Sequence, residues 1–138
     1  MNDDELRKAL SALEIYKVQL DALAQQVQIL QMSLEEAIRA RETLKAFLNA
    51  KKGDELLVPI GASSFVTAKA TGDKKAIVGI GNRVSAEKNI DEAVAFMEGS
   101  AKEISEALKR SGESMAEMEI NANNLSMAVQ QEYQRRQQ

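Results

Sequence analysis

The sequence predicts a mainly α-helical α+β fold: a long antiparallel coiled-coil hairpin with a small body of two β-hairpins at one end. Three observations predict it. Apolar residues recur every seven positions through the first third of the chain and again through the last. The stretch between them breaks into short alternating runs punctuated by glycine. Of 138 residues, 44% are hydrophobic but only 4% aromatic, and proline occurs once, at Pro59. The excess lies in Ala, Leu, Glu, Lys and Gln, which are helix formers, and such a composition favours long helices over a rounded globule.

The first element spans residues 3–50, with no Gly or Pro from Asp3 to Ala50. Leu6, Leu13, Leu20, Val27, Leu34 and Leu48 fall on one heptad position, broken once by Arg41; Ala9, Tyr16, Leu23, Leu30, Ala37 and Leu44 fall three residues on. A strict seven-residue repeat keeps one seam against a partner helix only if the helices supercoil, whereas an ordinary globular helix shows a wider and shorter stripe. The last element, residues 89–137, repeats the pattern through Ile90, Val94, Met97, Ala101, Ile104, Leu108, Ser111, Met115, Met118, Ala122, Leu125 and Val129. Asn89 followed by Asp91 and Glu92 suits a helix start. At a 1.5 Å rise each helix would run about 70 Å. Matched lengths favour folding back, with Leu13 near Met127, Leu34 near Glu106, and both termini together at a distal tip.

The middle, residues 53–88, reads as four short strands in two hairpins. Leu56–Ile60, Phe65–Ala70, Ala76–Ile80 and Arg83–Glu87 are the strand runs; Thr71-Gly72-Asp73-Lys74 and Gly81-Asn82 are turn signals. Pro59 places its strand at an edge or start of the sheet. So small a body, below about 40 residues, generally needs disulfides, metals or association to be stable, and four short strands leave open edges that invite pairing. The residues expected to join other subunits are Leu56, Val58, Ile60, Phe65, Val66, Ile77, Val78, Ile80 and Val84. The alternative is packing on the helix ends alone, through Phe47 and Phe96.

Composition also limits chemistry. Without Cys there are no disulfides, thiolate metal sites or Cys nucleophiles, and without His no Ser-His-Asp arrangement or ordinary zinc site. Gly79-Ile80-Gly81 lacks the third glycine and the following helix of a dinucleotide loop, and no phosphate-loop motif occurs. No catalytic residue, metal or cofactor is expected, and the chain is read as a non-enzyme. No apolar run approaches the roughly 20 residues that span a bilayer. Residues 1–8 do not resemble a secretory signal. A net charge of −3 and a pI near 5.1 supply no basic surface for nucleic acid. A cytoplasmic protein with neither nucleic-acid nor membrane partners is expected.

The segment Leu57-Val58-Pro59-Ile60-Gly61-Ala62-Ser63-Ser64-Phe65 resembles the opening of the β region in archaeal prefoldin alpha-class subunits. Ile77-Val78-Gly79-Ile80-Gly81, then Glu87-Lys88 and Asp91-Glu92-Ala93, resembles that family's second hairpin entering its C-terminal helix. The resemblance covers nearly the whole chain as one prefoldin-like domain, and two hairpins fit the alpha class better than the beta class. It implies an ATP-independent holding chaperone in which two alpha-class and four beta-class subunits join their β bodies. Six coiled coils would hold unfolded proteins at their tips and pass them to a group II chaperonin. Some alpha-like archaeal members instead form homo-oligomers or filaments. A structural scaffold or filament protein without clients is therefore the competing expectation.

The heptads agree with binding at the tip. Ile15, Ile29, Met32, Ile120 and Met127 occupy outward positions, and Leu10 borders the seam. Leu10, Ile15, Ile120 and Met127 gather in the tip half, while outward positions nearer the body read Glu36, Arg39, Thr43, Glu103, Glu106 and Arg110. Exposed apolar patches mark interaction sites, and Met adapts to varied partners. With the adjoining seam residues Leu6, Leu13, Leu125 and Val129, these form the candidate client-binding set. The bland alternative is a drift of the seam that buries some of them. Arg41 is expected to snorkel or to pair with Glu98 across the seam. Gly99, Gly112 and the asparagines Asn121, Asn123 and Asn124 weaken the second helix, either to let it bend or because weak formers are tolerated there.

Overall fold

The computed structural model describes residues 1–138. Helix α1 (Asp3–Asn49) is followed by strands β1 (Glu55–Gly61), β2 (Ser64–Lys69), β3 (Lys75–Gly81) and β4 (Val84–Asn89), then by helix α2 (Ile90–Arg136). The chain clusters into two compact units. One combines residues 1–31 with 106–138; the other is residues 32–105.

In the terminal unit, α1 opens on a reciprocal cap. The Asn2 Oδ1 accepts from the Glu5 amide at 2.8 Å, and the Glu5 carboxylate accepts from the Asn2 amide at 3.1 Å. Two of the four unpaired amides at the helix start are thereby satisfied. Asp3, Asp4 and Glu5 add negative charge at the positive end of the helix dipole. The heptad seam is real: Leu6, Ala9 and Val129 are buried together, with Leu13 and Leu125 half-buried against them. Tyr16, Leu20, Leu23, Val27 and Leu30 on α1, and Leu108, Ser111, Met115, Met118 and Ala122 on α2, are likewise turned inward.

In the central unit, the seam continues through Leu34, Ala37 and Leu44 on α1 and through Ile90, Val94, Met97, Ala101 and Ile104 on α2. Leu48 departs from the expectation and is exposed. In the last turn of α1 the inward positions shift to Phe47 and Ala50. There the helix no longer faces α2 alone but the segment between the hairpins, whose Lys74 Nζ donates to the carbonyls of Phe47, at 2.9 Å, and Ala50. That ammonium places a positive charge on the carbonyl end of a helix that has no basic residue in its last turn.

Of the two outcomes expected for Arg41, the pairing with Glu98 does not form. The arginine's guanidinium pairs with the neighbouring Glu42 at 3.0 Å, its Nε is buried without a partner, and Glu98 is held by Lys45 at 3.4 Å instead. Lys45, one turn further along α1, is the residue level with Glu98.

The four strands make two separate two-stranded antiparallel sheets, β1 with β2 and β3 with β4. The expected Thr71–Lys74 turn is the connection between hairpins, bent at Gly72. The hairpins share one design. Glu55 pairs with Lys69 and Lys75 with Asn89; Val58 pairs with Val66 and Val78 with Ala86; a register shift follows Pro59 in one and Gly79 in the other. The turns are Ala62-Ser63, with φ of 51° and 56°, and Asn82-Arg83, with φ of 51° and 60°. Two successive left-handed residues match the twist of the flanking strands. Two backbone bonds flank the hairpins equivalently, Ala70 N–H to Asp54 C=O and Ile90 N–H to Lys74 C=O, both at 2.9 Å.

Candidate interaction surfaces

The hairpins expose apolar side chains that a finished sheet would bury. On the first, Leu57, Ile60, Phe65 and Val66 are exposed; on the second, Ile77, Ile80 and Val84. Leu56 and Val58 are half-buried. Neighbours along β3 show the contrast: Val78 is 3% exposed and Ile77 79%. Successive residues of a strand point to opposite faces. One face of β3 therefore meets its own chain and the other meets nothing. The runs Leu56–Ile60 and Ala76–Ile80 read as strands covered on both sides, and each hairpin offers two unpaired edges besides. An open groove of about 350 Å³ lies within the central unit, lined by Leu44, Val58, Pro59, Ile77, Val78 and Met97 together with Glu36, Arg39, Ala40 and Thr43.

The terminal unit presents a different surface. Leu10, Ile15, Ile120 and Met127 are all exposed, Ile120 to 60%. The seam does not drift to cover them. The other four residues expected at the tip sit elsewhere: Leu6 and Val129 are buried in the seam, and Leu13 and Leu125 pack half-buried against them.

Sequence reasoning missed Glu132. It is one of two buried polar residues, with Ser111. Its carboxylate accepts from the Arg135 guanidinium at 2.6 and 3.1 Å, from Arg136 Nε at 2.9 Å and from the Met1 amine at 3.3 Å. Arg136 also bonds Asp3 at 2.6 Å, tying α2 back to the start of α1. The hydrogen bonds from Arg135 and then Arg136 hold the Glu132 carboxyl far below the usual carboxylate range. The signal was present in sequence: Glu132 continues the seam spacing of Leu125 and Val129 and has arginines three and four residues on.

No group of three or more acidic residues stands where it could hold a metal ion, and no helix is long and apolar enough to cross a membrane.

The pattern of the Prefoldin family, described as prefoldin subunit, matches residues 16–135. Prefoldin subunit alpha of Pyrococcus horikoshii is 34% identical over 138 residues, covering 97% of this chain and 91% of that protein. Prefoldin subunit alpha of Methanococcus maripaludis is 34% identical over 104 residues, covering 75% of this chain and 70% of that protein. Among solved structures, filamentous PFD from Methanocaldococcus jannaschii shares the fold, with a TM-score of 0.64 and 24% identity, covering 88% of this chain and 98% of that one. Paired heptad seams, twin hairpins with open apolar faces and this likeness along nearly the full length have one reading: the chain belongs to the prefoldin family, in its archaeal alpha-subunit class.

Proposed function

We propose that this chain is a subunit of an ATP-independent holding chaperone, working as one prefoldin-like domain. Its hairpins join those of beta-class subunits, two alpha with four beta, and its helix tips hold unfolded polypeptides for delivery to a group II chaperonin. The observation that carries this reading is the distribution of exposed apolar side chains. The seam closes within the chain, while Leu57, Ile77 and their neighbours on the hairpins, and Leu10, Ile15, Ile120 and Met127 in the terminal unit, face outward. Strand faces and edges suit ordered assembly with other strands. A sparse set of exposed apolar side chains on helices, the flexible Met127 among them, suits loose contact with many sequences. The work is done in the cytoplasm and involves no catalysis, cofactor, nucleic acid or membrane. The likeness to a filamentous chain supports a second reading, self-assembly into filaments through the same hairpin faces.

The test is aggregation of a chemically unfolded protein, followed by light scattering without ATP, in the presence of the chain assembled with a beta-class partner. The expected result is suppression, lost when Leu10, Ile15, Ile120 and Met127 are all replaced by Ser while the mass of the complex stays unchanged. Fibres of this chain without any suppression would favour the second reading. Full suppression by the four-residue variant would remove the tip from the account.

A further inference from the structure

We propose that the outward face of α1 between Ile15 and Ile29 is a second seam, built to dock an amphipathic helix with basic flanks that forms within a held polypeptide. Ile15, Val18, Ala22, Gln25 and Ile29 follow one another at intervals of three, four, three and four residues. That is the spacing of a coiled-coil seam, and it recurs on the side of α1 away from α2. All five are exposed; Ile15, Val18 and Ile29 are 56%, 65% and 64% open. Three large apolar side chains, Ile15, Val18 and Ile29, share this narrow face. A 3.5-residue spacing over two heptads suits a helix as the partner, because a supercoiling helix stays in register with it. The outward positions of α2 in the same unit carry no comparable run: Glu106, Arg110, Glu113 and Glu117 are exposed and charged, and the apolar Ile120 and Met127 stand a full heptad apart.

The edges of the stripe indicate the partner's charge. In the register set by Ile15 and Val18, one edge carries Glu14 and Asp21 and the other Gln19 and Gln26. Neither Glu14 nor Asp21 takes part in an ion pair within the chain. Lys17 stands beyond them, further round the helix. A docked helix therefore gains from Lys or Arg at its flanking positions, where pairing across a coiled coil sets partner choice. A second copy of this chain fits less well. Antiparallel pairing of two stripes sets Asp21 against its own copy, and parallel pairing leaves both carboxylates against glutamines. Gln25 on the stripe itself is a polar point that fixes register.

This inference deepens the holding role and rests on it only for the source of the helix. The probe is a labelled 21-residue peptide of three heptads with Leu at a and d and Lys at e and g, added to the full-length chain. Fluorescence anisotropy should show binding, with a gain of helix by circular dichroism. A scrambled peptide of the same composition, and a peptide with Glu at e and g, should bind at least tenfold more weakly. Val18→Glu with Ile29→Glu should weaken binding at least tenfold without changing the thermal melt of the chain, and Glu14→Lys with Asp21→Lys should reverse the preference between the two charged peptides. Equal binding of the scrambled peptide, or unchanged binding by the Val18/Ile29 variant, overturns the inference. So does concentration-dependent self-association abolished by that variant, which would make a second copy the occupant. If aggregation is suppressed but the peptide does not bind, the second seam falls alone. If the peptide binds but no aggregation is suppressed, the second seam stands and the holding role falls.

Discussion

The terminal unit and the hairpins use similar residues to opposite ends. In the terminal unit, Leu6, Ala9 and Val129 close on one another, and the end is fastened by Glu132 between two arginines. In the hairpins, Val78 is covered while Ile77 beside it is open, and two sheets of two strands each leave every strand at an edge. A helical seam needs only one apolar stripe per helix, and a chain folded back on itself supplies both. A strand with apolar residues on successive positions needs cover on two faces, and a body this small supplies only one. The difference teaches where the molecule is finished and where it is not. The seam holds the chain together; the hairpins leave apolar faces and strand edges open.

Breaking that contrast should produce effects in a definite order. The largest is expected from Leu57→Asp with Ile77→Asp. Both side chains are open in the single chain, so its helices should keep their circular dichroism, while charge on the assembling faces removes association. Sedimentation velocity should show complexes replaced by single chains. Next comes Leu6→Ala, which opens a cavity in the seam and should cost about 2 kcal/mol or more, lowering the melting temperature without changing the mass of the complex.

Glu132→Gln is expected to act mainly on the acid side. The folded pKa of Glu132 lies below its unfolded value. Its contribution is therefore present above the ordinary carboxylate range, near pH 4, and fades as pH falls below it. The variant should melt lower at pH 7, and the gap from the parent should close towards pH 2. The smallest effect is a gain. Nothing lies within 4 Å of a Cβ added at Gly99 or Gly112, so Ala at each should stabilise α2 by up to about 1 kcal/mol, read as a higher melting temperature. If client holding drops while stability rises, these glycines serve bending; if holding is unchanged, they are merely tolerated.

Much of this was legible in the sequence, for physical reasons that also explain what was not. A repeat sustained over six heptads is a long-range signal, and it located both seams and the outward placement of Ile15, Ile120 and Met127. The limits of that signal show at Leu48 and Arg41. Leu48 sits in the last turn, where α1 stops facing α2 alone and a neighbour such as Lys74 bears on which side chains turn inward, while Arg41 pairs with the adjacent Glu42 and leaves Glu98 to Lys45. Asn2 with Glu5 and Glu132 with its arginines were written in the sequence at cap and i+4 spacings, but such short patterns stand out only once the helix ends are fixed. The hairpins were legible from their alternation, yet their turns were harder. Ala62-Ser63 carries no Asn-Gly signature, although the left-handed backbone there is the kind that pair supplies. The equivalence of the two hairpins was visible too, as Ile60-Gly61 and Ile80-Gly81 at matching places before each turn.

The central claim is that the hairpins complete their core only against other subunits. Hydrogen exchange of the β1–β4 amides, measured on the single chain at high dilution and again in complex with a beta-class partner, tests it most directly. The account predicts fast exchange in the hairpins of the single chain, slow exchange in the complex, and little change in the seam of the terminal unit. Hairpin amides equally slow in both states would show a body finished by its own chain, and would contradict it.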